Sequence, residues 1–369
     1  MLIFDGDYPM ATGALRMERD LTLPIQEVRD APEWKYRQMD WPDAETMATL
    51  PEMRRGKVAG ALVKVCVCIK KPGHDHGEFR SAETAYAHAM GQLAYYRILE
   101  ARGEARILAN RGDFAEHMRA WEEAEDHADL PVGLVLGMEG ADPILWPEQV
   151  RDWWDDGLRV ISLSHYGVST YAHGTGTGTT GGLQPGAREL LAEMDSLGMV
   201  LDVSHTADES IRQSLDLFGG PVLSSHQNCR ALVPGERQIP DDLLRTIIGR
   251  GAVIGASMDA WMLFRPGIDW AEIPERGDFY SREDITLDDY VDHIDHVCQI
   301  AGNSLHAAIG GDTDGQEGRQ GAPYGIDTVA DYQKVADILA ERGYTEDEVA
   351  NVMYRNWQRF FERWLPDAA

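Results

Sequence analysis

Short apolar runs rich in Val, Ile and Leu recur along this chain, each bounded by glycine or polar residues. Runs of this kind are typical of strands buried on both faces, as in parallel sheets covered by helices. The sequence contains eight of them: Leu2–Phe4, Val58–Ile69, Gly133–Met138, Val160–Leu163, Met199–Val203, Pro221–Leu223, Ala252–Ala256 and Ala307–Ile309.

The segments between these runs have helical spacing. Ala187 to Leu197 repeats apolar residues on one helical face and ends at Gly198, and a second helix is predicted after the capping pair Thr286 and Asp289. Alternating strands and helices indicate parallel pairing. We therefore predict an α/β fold, a (β/α)8 TIM barrel, with an open doubly wound sheet as the alternative.

Two connections are too long to be simple turns. They run from about residue 8 to 57 and from about 257 to 286, so insertions are predicted after strands 1 and 7. A C-terminal helix capped by Thr345 and Glu348 is also expected. The glycine-rich stretch His173–Gly182 is expected to be a mobile loop. No linker interrupts the pattern, so residues 1–369 are predicted to form a single domain.

Charge and hydropathy exclude several classes of protein. The chain has 369 residues, with 62 acidic and 34 basic side chains and a net charge of −28, which disfavours binding to nucleic acid or to an anionic membrane. No apolar run approaches the ~18 residues of a spanning helix, and no secretion signal is evident. A cytoplasmic protein is expected, whose four cysteines pack as thiols.

Ionisable residues follow nearly every apolar run. These residues are Asp5, Asp7, Glu139, His165, His205, His226, Asp259 and Asp312. A barrel brings the carboxyl ends of its strands to one face, so they are expected to share one cup. His, Glu and Asp together are typical of hydrolytic zinc sites, where the metal activates water. Several serines adjoin these histidines, but the G-x-S-x-G motif of a serine nucleophile is missing.

Six ordered motifs resemble the membrane or renal dipeptidase family of zinc peptidases, family M19, in the amidohydrolase group of (β/α)8 barrels. The motifs are GMEG, ISLSH, GGLQPGARELLAEMDSLGMVLDVSH, PVLSSHQNCRAL, ERQIPDDLL and IGGDTDG. The resemblance extends over nearly the whole chain and is strongest from Leu136 to Asp242.

The resemblance implies a metal centre and a substrate site. By position, Glu139 would bridge two zinc ions, and His205 and His226 would bind one of them. His165 would polarise the scissile carbonyl, and Arg237 would hold the carboxylate of a dipeptide.

Two further site residues are implied at the ends of strands seven and eight. Asp312 would act as base and then acid. Asp259, where the family has a tyrosine that helps to bind substrate, is predicted to contact the substrate.

The first strand departs from the family pattern. Where the family has Asp-Gly-His-x-Asp, this chain has Asp5-Gly6-Asp7-Tyr8-Pro9. Asp7 replaces a histidine ligand and Pro9 offers none, so one or two Zn²⁺ per chain are expected, with the first site weakly held or absent. Asp5, or His74 and His76, are alternative ligands for it.

These residues predict a zinc-dependent dipeptidase that cleaves short dipeptides, with a D-residue allowed at the C-terminal side as the family implies. A deaminase or lactonase of the same barrel group is one alternative, although neither needs the Arg237 clamp. A metal-binding protein without activity is another. The expected partner is the dipeptide substrate, and a homodimer is allowed.

Overall fold

A computed structural model describes residues 1–31, 45–71, 77–176, 178–266, 281–315 and 318–368. Its strands are β1 (Ile3–Tyr8), β2 (Val58–Cys66), β3 (Ala105–Ile107), β4 (Val132–Glu139), β5 (Val160–Ser162), β6 (Val200–Asp202), β7 (Val222–Leu223), β8 (Ile254–Ala256) and β9 (Ala307–Ile309). Its α-helices are α1 (Met10–Arg16), α2 (Ile25–Asp30), α3 (Leu50–Arg55), α4 (Ala82–Ala101), α5 (Arg111–Glu123), α6 (Val150–Asp155), α7 (Ala187–Leu197), α8 (Asp208–Leu217), α9 (Asp241–Gly249), α10 (Leu287–Ala301), α11 (Gln333–Glu341), α12 (Glu346–Ala350) and α13 (Asn356–Trp364).

The strands form a curled parallel sheet. Its order is β1-β2-β4-β5-β6-β7, with β3 paired to β4, and β8 pairs with β9 in a second sheet. A parallel bridge between Ser224 and Ile254 joins the two sheets on one side. On the other side the Asp312 N–H donates to the Asp7 carbonyl at 3.0 Å. The predicted α/β class and parallel pairing are therefore confirmed.

All eight predicted strands are present, and β3 is an additional one. Its three residues, Ala-Arg-Ile, carry too little apolar pattern to be distinguished from a loop. The helix boundaries follow local capping chemistry as expected. Thr286 and Asp289 form the predicted capping box of α10, and Thr345 and Glu348 form that of α12. Gly198 ends α7 in the left-handed conformation that glycine tolerates.

The inserted segments are partly described. The described part of the one after β1 contains α1, α2 and α3, and that of the one after β8 contains the single-turn 3-10 helices Ala260–Met262 and Arg282–Asp284. His74 and His76 lie outside the described residues. Within the described ranges, no helix is both long enough and apolar enough to cross a lipid bilayer.

Aromatic side chains attach the C-terminal helix to the sheet. The Trp357 indole N–H donates to the Ile309 carbonyl at 2.8 Å, and the Phe361 ring lies 5.5 Å from those of Phe4 and Phe114. All of these rings are fully buried. Burying an aromatic side chain contributes about 1.5–3 kcal/mol, so α13 is an integral part of the core.

His117 makes the stability of the fold sensitive to acid. It is buried against Gly133, and its Nε2 lies 2.8 Å from the Ala59 carbonyl, which fits a neutral ring that donates there. Burial, with a smaller contribution from the charge of Arg106, lowers the pKa of His117 to about 4, although the hydrogen bond to Ala59 acts in the opposite direction. The unfolded chain then binds this proton more readily than the folded protein does below pH ~6.5.

We predict that stability is full above pH ~6.5 and falls as the pH is lowered towards 4, by up to about 3 kcal/mol from this group. His117→Gln, which keeps a donor for Ala59, should flatten this part of the curve. The control is His88→Gln, at an exposed position. Urea unfolding at several pH values measures the effect, and equal slopes in all three proteins would contradict it.

Candidate metal centre

Side chains from four strands meet at the carboxyl edge of the sheet. Asp7 lies on β1, Glu139 ends β4, His205 follows β6 and His226 follows β7. The Nε2 atoms of His205 and His226 are 2.7 Å apart, and they lie 3.2 and 3.3 Å from Glu139 Oε1. All four residues are buried. The structure therefore brings together the ligands that the sequence predicts.

The spacing of three of these atoms fits one metal ion. Ligand atoms on a tetrahedral zinc with bonds of ~2.0–2.1 Å lie about 3.3 Å apart. The distances from Glu139 Oε1 to the two ring nitrogens match this value, and the separation of the two nitrogens is shorter. Two imidazoles and a carboxylate are also an established set of protein ligands for zinc. His205, His226 and Glu139 therefore fit a metal.

Asp202 positions both histidines through the backbone. It ends β6, and its Oδ1 accepts the backbone N–H groups of Ser204 at 2.9 Å and Ser225 at 3.1 Å. Each serine immediately precedes one of the histidines, so a single carboxylate fixes the start of both loops. Asp202 was not among the residues predicted from the sequence.

A lysine lies among the carboxylates of this centre. Lys64, near the carboxyl end of β2, has its Nζ 2.7 Å from Asp7 Oδ1, 3.0 Å from Asp202 Oδ2 and 4.0 Å from Glu139 Oε1. It also donates to Ser225 Oγ at 3.0 Å. Burial alone would lower the pKa of Lys64, but the charges of Asp202, Asp7 and Glu139 hold that pKa well above its usual value.

Lys64 is the main site residue that sequence reasoning missed. A signal was present, because one lysine interrupts an otherwise apolar strand that reads VAGALVKVC. Lysine is almost never fully buried unless it is paired. Its position within β2 therefore indicated carboxylates facing it from neighbouring strands.

His165 lies beside the metal ligands. Its ring centroid is 4.3 Å from that of His205, and its Nδ1 is 3.4 Å from Cys68 Sγ. Cys66 ends β2 and Cys68 lies two residues beyond it, and with His165 they form a further group able to hold a metal. The sequence did not suggest a role for these cysteines.

Arg237 is buried with its guanidinium directed at the centre. One terminal nitrogen donates to Gln227 Oε1 at 3.0 Å, and the other is 3.1 Å from the His226 carbonyl and 3.2 Å from His205 Nε2. Its Nε has no hydrogen-bond partner among the described residues. A buried guanidinium with an unused donor is suited to an anionic ligand.

Asp312 approaches the centre from the end of β9. Its Oδ2 is 3.7 Å from His226 Nε2. Burial, together with the nearby charges of Asp259, Asp7 and Glu139, raises its pKa well above the usual value. Asp259 accepts the Trp261 indole N–H at 3.1 Å. Asp5, the proposed replacement ligand, instead accepts the Gly311 N–H at 2.7 Å and belongs to none of the described groups that could hold a metal.

Two site residues have left-handed backbone. The φ angles are +62° at His205 and +52° at Asp312, a region that residues other than glycine seldom adopt. Such conformations cost about 1–3 kcal/mol and persist where the surroundings impose them. Both residues belong to the centre, so the strained backbone lies where the chemistry is expected.

Part of the stretch His173–Gly182, which the sequence predicts to be a mobile loop, is packed against the metal centre. Gly174 and Thr175 are buried, and the Thr175 N–H donates to the His205 carbonyl at 2.7 Å. Gly174 allows this contact, because a Cβ there would lie 1.8 Å from the His165 carbonyl oxygen. Small residues in a sequence indicate either a flexible segment or a close approach of two backbones. The prediction considered only flexibility.

The sequence profile of membrane dipeptidases, peptidase family M19, matches residues 16–364. The chain belongs to this family. The match begins after Asp7 and Pro9, where the first strand departs from the family pattern.

Relatives and solved structures agree with membership of the M19 family. An uncharacterized dipeptidase of Schizosaccharomyces pombe is 31% identical over 63% of this chain, which spans about half (53%) of that relative's length. A dipeptidase AC structure of family M19 superposes with a TM-score of 0.76 at 23% identity, over 99% of both chains. A Rhodobacter sphaeroides metallopeptidase, liganded with a phosphinate mimic of L-Ala-D-Ala, gives 0.74 at 23% identity over 99% of both chains.

We predict that Gly174→Ala destabilises the fold by about 2 kcal/mol, because the methyl group must displace the backbone around His165. The control is Gly91→Ala on the exposed face of α4, where a Cβ meets nothing within 4 Å. That change should stabilise the helix by about 0.5–1 kcal/mol. Denaturant midpoints measure both effects. A Gly174→Ala protein as stable as the native one would show that the close contact is not a constraint.

Proposed function

We propose that this M19 protein is a zinc-dependent dipeptidase that hydrolyses the peptide bond of short dipeptides. The observation that carries the proposal is the convergence of His205 Nε2, His226 Nε2 and Glu139 Oε1 beside the buried Arg237 guanidinium. Zinc ligands alone would suit many hydrolases. A fixed cation next to them selects substrates that carry a carboxylate near the scissile bond.

The residues of the chain divide the chemistry between them. Zinc, when bound, supplies an activated water at neutral pH and polarises a carbonyl. His165, whose ring lies 4.3 Å from that of His205, donates to the oxygen on which negative charge develops. Asp312, whose Oδ2 lies 3.7 Å from His226 Nε2, takes the proton of the attacking water and returns it to the leaving amine.

Substrate selection follows from Arg237 and Asp259. Arg237 pairs with the free carboxylate of the dipeptide, and Asp259, which accepts the Trp261 indole N–H, contacts the substrate. The ligand of the R. sphaeroides neighbour mimics a dipeptide with a D-residue at its C-terminal end. We extend that substrate class to this chain, including the D-residue.

The same proposal includes the architecture. Contacts at Ser224 with Ile254, and at Asp312 with Asp7, support closure of the two sheets into a (β/α)8 barrel. We propose that residues 1–369 form one domain around it. A cytoplasmic location and a homodimer stay predictions from the sequence.

Removing either histidine ligand should remove metal and turnover together. We expect His205→Ala and His226→Ala to lose bound zinc after dialysis and at least about 10³-fold in kcat, because the remaining ligands cannot hold a catalytic zinc. The control is His296→Ala, whose ring pairs with Asp241 on α9. Elemental analysis and hydrolysis of alanyl-alanine are the measurements. Dipeptide hydrolysis by metal-free protein would contradict the proposed function.

Arg237 should act through the charge of the substrate. We expect the native enzyme to prefer a dipeptide over its amide by about 10²-fold in kcat/KM, as for a buried charge pair. The Arg237→Met protein should lose activity on the acid and most of this preference. The effects of the substitution and of amidating the substrate are then non-additive.

The matched control is Arg230→Met, because Arg230 is a neighbouring arginine that pairs with Asp208 outside the centre. It should retain the native preference. Equal kcat/KM for acid and amide in the native protein would exclude the clamp.

A further inference from the structure

We propose that the Lys64 ammonium takes the place of a second divalent cation, so that this centre works with a single metal ion held by His205, His226 and Glu139. The inference rests on the proposed function and specifies how its metal site is built.

Two groups of potential ligands overlap at the centre. Glu139 belongs to one with His165 and His205, and to another with Asp7 and His226. The second group already contains a cation, because Lys64 Nζ lies 2.7 Å from Asp7 Oδ1 and 4.0 Å from Glu139 Oε1. A metal bound through Asp7 would meet the ammonium at close range, and like charges in a buried site repel strongly. The two groups therefore cannot both be filled while Lys64 stays in place.

The balance of charge agrees with one metal. Within 4.0 Å of Lys64 Nζ, Asp7, Asp202 and Glu139 bring three negative charges against its one positive charge, which leaves −2 in this buried cluster. One divalent cation neutralises it, and two would leave +2. Uncompensated buried charge is costly, so the single ion is favoured. Arg237 is then free to match the carboxylate of a dipeptide.

Lys64 also sets the orientation of a metal ligand. Ser225 Oγ lies 3.0 Å from Lys64 Nζ, 2.9 Å from His226 Nδ1 and 3.2 Å from Ser204 Oγ. Lys64 can only donate, so all three contacts are satisfied if Ser225 also accepts from His226 Nδ1–H and donates to Ser204. This arrangement leaves the His226 Nε2 lone pair free for a metal. Lys64 is thus a positioning residue as well as a counter-charge.

The first test introduces metal ligands at positions 7 and 9 in proteins with and without Lys64. Asp7→His with Pro9→Asp supplies an imidazole and a carboxylate, and a third change, Lys64→Ala, removes the ammonium. We expect the two-substitution protein to bind no more zinc than the native protein, and the three-substitution protein to bind one further equivalent. A gain in the two-substitution protein would overturn the inference, because Lys64 would then not exclude the ion.

The second test needs only one substitution. Lys64→Met keeps the apolar stem and removes the charge, leaving Asp7, Asp202 and Glu139 as oxygen ligands that suit Mn²⁺. In zinc-loaded protein, Mn²⁺ binding followed by electron paramagnetic resonance should become at least ten-fold tighter than in the native protein. The control is Lys71→Met, since Lys71 is part-exposed and 4.0 Å from Asp142. No gain in Lys64→Met would overturn the inference.

A crystal of native protein grown with zinc separates this inference from the proposed function. We expect one anomalous peak between His205 and His226, and none in contact with Asp7. A peak in contact with Asp7 would overturn the role of Lys64 and leave the dipeptidase intact. No peak between the histidines would overturn the proposed function, and the inference with it.

Discussion

The contact of Lys64 with Asp7 and Asp202 holds the functional end of this protein together. These three charges come from β2, β1 and β6, and none is exposed. Removing one charge from such a group lowers the free energy of unfolding by much more than the intact group contributes to it. The charges that remain are then buried without compensation. The relative positions of the three strand ends are therefore fixed. Asp202 in turn fixes the loops that carry His205 and His226, because it accepts backbone hydrogen bonds from both. Ligand geometry at the centre follows from this one buried cluster.

Much of the fold and the ligand set could be predicted because each depends on local pattern. Strands buried on both faces show as apolar runs, and in parallel pairing their carboxyl ends lie at one edge. A residue that follows such a run, such as Glu139 or His226, is thereby assigned to the edge before any tertiary contact is known. Capping signals at Thr286 and Thr345 likewise depend only on residues within one turn.

What escaped prediction depends on contacts distant in the sequence. Lys64 lies inside an apolar run, which indicates that it is paired, but its partners are 57 and 138 residues away, so only the folded sheet shows which carboxylates they are. Gly174 is one of several glycines in a polar stretch. It must be glycine because the His165 carbonyl occupies the space that a side chain would need. Asp5 was a reasonable ligand by sequence, but the backbone N–H groups of Asp7 on β1 and of Gly311 after β9 donate to its carboxylate.

The left-handed backbone at His205 and Asp312 has a consequence for how this sequence can change. Glycine would relieve the backbone at either position, and asparagine would adopt it more readily than histidine. A variant selected for heat resistance alone would therefore be drawn to these two sites, where stability and side-chain chemistry favour different residues. Screens for stabilised forms of the protein should accordingly report substitutions here as gains in melting temperature, and these are the gains to discard when the centre must be kept.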